Sequence, residues 1–333
     1  MLIVCLAATA AAGMAASEAP PVAGGMLLED RIRIAEAFRI ADELGEKIWA
    51  GWKDAPWAVL LVTRDREYLV RHPYPTGDFT RVEYDSLLAS DVYTRDRVFS
   101  THLLATFPAV AGVPTVVIGQ PKNTDASHST RWVVTLLHEH FHQLQTSQPG
   151  YYDAVGGLDL ARGDTTGMWM LEYDFPYDSK PVNAAFSHLC KSAAVAVQQP
   201  GAPSAADYLS ARERFRALLD RDDYGYFSFQ LWQEGIARYT EIRLAEMAAL
   251  SYRPSHRFEA LDDYVPLRRD AEETRAHLLT ELLRVSLAKS RRVAFYHIGA
   301  AEALILDRVS PRWRERYFTD KFFTGKYFPE SPR

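Results

Sequence analysis

Between positions 26 and 52 the apolar residues Leu28, Ile32, Ala35, Phe38, Leu44 and Ile48 recur at helical spacing, which predicts an amphipathic helix. The next stretch, PWAVLLVTRDREYLVRHPYP, carries two apolar runs around Thr63-Arg64-Asp65-Arg66 and predicts a β-hairpin. Further strand-like runs centre on Val92, on Leu103 to Phe107 and on Val113 to Ile118. Gly119-Gln120-Pro121-Lys122-Asn123 ends the last of these, and Asp125, Ser127 and Ser129 are candidate caps for the helix RWVVTLLHEHFHQLQ that follows. In that helix Val133, Leu137, Phe141 and Leu144, joined by Leu136, form an apolar stripe that would anchor it to a core. Beyond Pro149-Gly150 the chain changes to helical runs near residues 182–198, 204–220, 226–250, 270–288 and 293–309, the last stopped by Pro311. The order of elements predicts an α+β fold. A helix and small mixed sheet over residues 24–149 lead into the RWVVTLLHEHFHQLQ helix, and a mainly helical part covers 150–333.

Composition narrows the class. With 333 residues, 47% apolar and 24% charged, the chain can bury a sizeable core. A net charge of −5 with no basic run makes nucleic acid a poor partner. The opening MLIVCLAATAAAGMAASEAPP is apolar and then small and polar, which predicts a signal peptide over residues 1–23, an exported protein and no permanent membrane span. After cleavage Cys190 is the one remaining cysteine, so no internal disulfide is expected, and its reading is a small buried hydrophobe.

The chemistry concentrates in HEHFH. His138 and His142, four apart, project from one face of a helix and can reach one metal ion. Glu139 lies on the neighbouring stripe, placed for a water beside such an ion rather than for the ion itself, as a general base requires. His140 points away from that face and reads as structural. A second segment, FQLWQEGIARYTE, offers Glu234 before Gly235 inside an amphipathic run, and the bare Gly235 would let this helix approach the first closely. His138, His142 and Glu234 then make a two-histidine, one-glutamate set of the kind that holds a single catalytic Zn²⁺.

HExxH followed by Trp232-Gln233-Glu234-Gly235-Ile236-Ala237-Arg238-Tyr239 resembles the glutamate-ligand zincin metallopeptidases, the group containing thermolysin and the zinc aminopeptidases. The resemblance covers two short motifs and the order of elements, with a longer interval between His142 and Glu234 than in those enzymes. It implies a zincin-like fold, zinc held by His138, His142 and Glu234, and Glu139 as base in hydrolysis of a peptide or protein substrate. It also implies that the strand at Val113 to Ile118 is an edge along which substrate lies.

An oxyanion stabiliser is also needed, and Tyr296 and His297 in RRVAFYHIGAAEALILD are the candidates, with Tyr239 behind them and Gly299 permitting close packing. Arg238 and Glu241 read as an orienting pair or a surface pair. The aromatic MWMLEYDFPYDSKP reads either as a lid over a cleft or as core, and its Glu172 as a paired or exposed carboxylate. Two rival functions share the fold: a metal-binding scaffold without turnover, and a hydrolase of non-peptide amides or esters.

Overall fold

The computed structural model describes residues 25–199 and 201–329; the segment read as a signal peptide, with Cys5, lies outside them. The architecture is α+β, with one six-stranded mixed sheet and many helices. No helix among the described residues is long and apolar enough to cross a membrane. The chain divides into two compact units, the first running to Leu144 and including Leu250–Leu267, the second comprising Gln145–Ala249 and Arg268 onward.

In the first unit the opening helix is Leu28–Ile40, followed by a π turn at Ala41–Gly45 and a last turn at Glu46–Ile48. The glycine that ends this turn has a packing reason: a Cβ on Gly45 would stand 2.2 Å from the Trp52 ring, so only glycine lets that indole seat there. The helix is less amphipathic than its spacing predicts, because Asp30, Arg33 and Glu36 are buried as well. Chain from the 250–267 segment covers them. Arg33 bridges Asp30 at 2.9 Å and Asp263 at 3.3 Å, while Glu36 accepts from the Tyr252 hydroxyl and from both the amide and hydroxyl of Ser255. Burial of these charges is tolerated because each is matched by donors or acceptors.

The strands are β1 (Val59–Val62), β2 (Arg66–Val70), β3 (Thr80–Asp85), β4 (Ser90–Asp96), β5 (Leu104–Val110) and β6 (Val113–Gly119), in sheet order β3-β4-β2-β1-β6-β5. The hairpin predicted around Thr63 is β1/β2, closed by the Thr63 amide and hydroxyl on the Arg66 carbonyl. β3 escaped the sequence pattern because nearly all of its side chains are exposed or half-exposed, so no alternation marks it. The expected edge at Val113 to Ile118 is corrected: β6 is interior, parallel to β1 and antiparallel to β5, and β5 is the outer strand.

In the second unit the long helices are Lys180–Gln198, Ala202–Arg216, Arg221–Gln230, Ile236–Ser251, Leu267–Arg284 and Ala294–Val309. The run expected as one helix over 226–250 is interrupted by a π turn at Leu231–Gly235. Ala294–Leu306 is buried along its whole length. Gly235 and Gly299 meet there: a Cβ on Gly235 would lie 2.5 Å from the Gly299 Cα. The close approach that Gly235 permits is to the Ala294–Val309 helix. The aromatic segment proves to be core. Trp169, Tyr173, Phe175 and Tyr177 are buried, with Tyr173 stacked on Tyr226 at 4.4 Å and Phe175 edge-on to Phe295 at 5.2 Å. Glu172 beside them is exposed. Cys190 is fully buried, and burial pushes its thiol up, as an inert hydrophobe requires.

Candidate metal centre

The helix that carries HEHFH spans Ser129–Ser147. In its first turn the His128 Nδ1 accepts from the Arg131 amide at 3.2 Å. Ser129 accepts from Arg33 Nε at 2.7 Å and donates to Asp263. The predicted apolar stripe of Val133, Leu136, Leu137, Phe141 and Leu144 is fully buried. Polar side chains then fix rotation and height against the sheet. Trp132 Nε1 donates to Gly119 O at 2.7 Å, and Gln143 Nε2 donates to Ala58 O and Pro114 O at 2.9 Å each. A helix tied this way at strands β1 and β6 presents its remaining side chains in one fixed orientation.

His138 and His142 stand one turn apart with ring centroids 5.1 Å from each other. A nitrogen of each and a carboxylate oxygen of Glu234 all lie within 4.8 Å of one another, and the three residues are buried. Such a group can hold a metal ion. A tetrahedral ion with bonds of about 2.0–2.1 Å would set its donors about 3.4 Å apart, a separation within the spread of these three donor atoms. The donor chemistry fits as well, since a carboxylate buried beside two imidazoles is costly unless paired or bound to a cation. Glu234 owes its position to the π turn at Leu231–Gly235, a helix irregularity that re-aims the side chains it carries.

Glu139 is 2% exposed and is held from the sheet. The Thr106 hydroxyl on β5 lies 2.9 Å from Glu139 Oε2 and 2.8 Å from its backbone carbonyl, sharing one proton between them. His140 is structural, as read from the sequence. Its ring stacks flat on Trp57 at 3.7 Å and edge-on to Trp52 at 4.9 Å, and its Nδ1 lies 2.7 Å from Gln143 Oε1. Burial pushes its pKa down to about 4 despite the contacts with Gln143 and Trp52, so it is a neutral ring at pH 7.

The two oxyanion candidates, adjacent on one helix, lie in different surroundings. Tyr296 receives a hydrogen bond from Arg292 Nη1 at 2.5 Å, and Arg292 and Glu234 both act electrostatically on the Tyr226 hydroxyl. His297 faces Glu281, with Nε2 to Oε2 at 3.9 Å, and His277, with ring centroids 5.6 Å apart. Burial, Arg238 and His277 drive the His297 pKa down to about 3. Arg238 grips Glu241 with one nitrogen on both carboxylate oxygens, at 2.8 and 2.7 Å, and since Glu241 is buried this is no surface pair. Tyr239 is bonded to Asp307 and Arg314. Glu172 lies outside the metal-ligating group.

Sequence reasoning missed Thr106, Gln143, Gln145 and Tyr317. Their long-range partners lie 29 to 172 positions away, so no local spacing marks those bonds. No family model, curated protein or solved structure matches the chain.

Proposed function

We propose that this chain is a zinc-dependent hydrolase that cleaves amide bonds, most directly a peptidase of zincin-like fold. The observation that carries the reading is the buried His138–His142–Glu234 group with Glu139 beside it on the same helix, its carboxylate anchored by Thr106. Zinc, when bound by those three residues, supplies a Lewis acid that polarises a carbonyl and makes water acidic near neutral pH.

The chain's own residues carry the remaining work. Glu139 takes the proton of the attacking water and returns it to the leaving nitrogen, and its carboxylate stays in one rotamer because Thr106 holds Oε2. Tyr296 is the oxyanion donor we retain of the two candidates, because His297 faces Glu281 and His277 while the Tyr296 hydroxyl accepts from Arg292. The outer strand β5, which carries Thr106, has one edge without a strand partner among the described residues, and an extended peptide can add there by main-chain hydrogen bonds.

Incubation of the full chain, loaded with zinc, against a mixed peptide library tests the reading. Cleavage in wild type that is lost in Glu139→Gln while zinc is retained supports a peptidase. Glu139-dependent turnover confined to a panel of non-peptide esters and amides moves the substrate class, and zinc retention with no Glu139-dependent turnover of either favours a silent scaffold.

A further inference from the structure

The π turn that carries Glu234 has a structural cost. Widening one turn takes backbone carbonyls out of the regular i to i−4 ladder, and a buried carbonyl without a donor is destabilising. In this chain side chains act as donors there, Gln145 first among them. Gln145 Nε2 lies 3.1 Å from the Trp232 carbonyl, 3.0 Å from the Gln233 carbonyl and 2.7 Å from the Tyr317 hydroxyl. The Tyr317 hydroxyl donates in turn to the Trp232 carbonyl at 2.7 Å. The amide is also fixed from its other end, because Gln233 Nε2 donates to Gln145 Oε1 at 3.0 Å and Tyr151 donates to Gln233 Oε1 at 2.9 Å. The Tyr317 ring stacks on Trp232 at 4.6 Å, and Gln145, Gln233, Trp232, Tyr151 and Tyr317 are all buried.

Two features single Gln145 out. It lies three residues after His142, one turn further along the same helix, so the element that supplies two metal-binding histidines also grips the backbone immediately before Glu234. Its amide bonds the two carbonyls immediately before Glu234, so it bears on where that carboxylate stands.

We propose that Gln145, with Tyr317 as its brace, is the positioning residue for the third metal ligand, and that it sets the metal affinity of the site by fixing the π turn. The inference rests on the metal-binding reading of His138, His142 and Glu234 and on no assumption about substrate. Residues that orient ligands without touching the ion commonly change metal affinity by about 10- to 100-fold when removed.

The test is the Zn²⁺ dissociation constant of the full chain, measured by competition with a chromophoric chelator, with urea midpoints taken on the same samples. Gln145→Leu fills similar space and donates nothing; Tyr317→Phe removes only the hydroxyl and preserves the stack on Trp232, which keeps the test decisive if Gln145→Leu fails to fold. Phe186→Leu, in the core of the second unit and outside this network, serves as a control for general loss of stability. The expected result is Zn²⁺ binding weakened about 10- to 100-fold in Gln145→Leu and several-fold in Tyr317→Phe, with Phe186→Leu unchanged at a comparable fall in urea midpoint. Wild-type affinity in folded Gln145→Leu and in Tyr317→Phe overturns the proposal. So does a loss in Phe186→Leu equal to theirs. Absence of Zn²⁺ binding in wild type itself ends the metal reading and this inference with it, an outcome distinct from the other two.

Discussion

The Thr106 hydroxyl stands 2.9 Å from Glu139 Oε2 and 2.8 Å from the Glu139 carbonyl, so one side chain on the outer strand β5 touches both the backbone and the carboxylate of the residue proposed as general base. Loss of that hydroxyl leaves the carboxylate free to rotate while the His138–His142–Glu234 group is untouched. Thr106→Val is therefore expected to lower kcat about 10-fold with KM and zinc content unchanged, and Thr106→Ser to restore most of it. Steady-state kinetics with metal analysis on the same preparations checks this; a change confined to KM would contradict it.

Gly235→Ala is expected to damage both stability and metal binding. The added Cβ meets Gly299 Cα at 2.5 Å, a contact between two backbones that no side-chain rotation relieves. Overpacking of this kind costs about 1–3 kcal/mol, and the strain falls on the residue next to Glu234. Urea unfolding and zinc titration of the variant report the two effects; wild-type values in both would show that the helices can separate freely.

His297 predicts a pH dependence. Its folded pKa of about 3 lies below the ordinary 6.5 of an unfolded histidine, through burial first and then the charges of Arg238 and His277. Between those values the unfolded chain binds the extra proton, so this group's contribution to stability is complete above pH 6.5 and shrinks as pH falls toward 3, by at most about 1.4 kcal/mol per pH unit. Glu241 and Glu281 also face the ring, and their negative charge opposes the shift without reversing it. His297→Gln cannot take up that proton, so the gap between wild type and variant is expected to be larger at pH 7 than at pH 5. Urea midpoints at several pH values test this; a gap that widens on acidification would contradict the assignment.

What the sequence makes legible follows from the range of the interaction. His138, His142 and Glu139 share a few residues of one helix, and the spacing that defines their common face is printed in the chain. Glu234 was readable from the glycine after it and the amphipathic run around it. The π turn was not, because what it needs is the amide of Gln145 and the hydroxyl of Tyr317, remote in sequence and joined to it only by folding. The place of β6 in the sheet failed for a related reason. A buried apolar run such as VPTVVIG fits an interior strand at least as well as an edge, and only the pairing with β1 on one side and β5 on the other decides. The amphipathic spacing of the first helix likewise gives no sign that Arg33 and Glu36 are buried, because their partners Asp263, Tyr252 and Ser255 are remote in sequence. His140 reads correctly as structural, but of the rings that hold it Trp52 seats against the bare Gly45 in a turn that the helical spacing of the first segment conceals.

The central claim is that His138, His142 and Glu234 hold one metal ion while Glu139 does not. It is tested most directly by the metal content of the purified full chain and of His142→Ala, Glu234→Ala and Glu139→Gln. The account predicts about one zinc per chain in wild type and in Glu139→Gln, and its loss in the other two. Full metal in Glu234→Ala, or none in wild type, would contradict it.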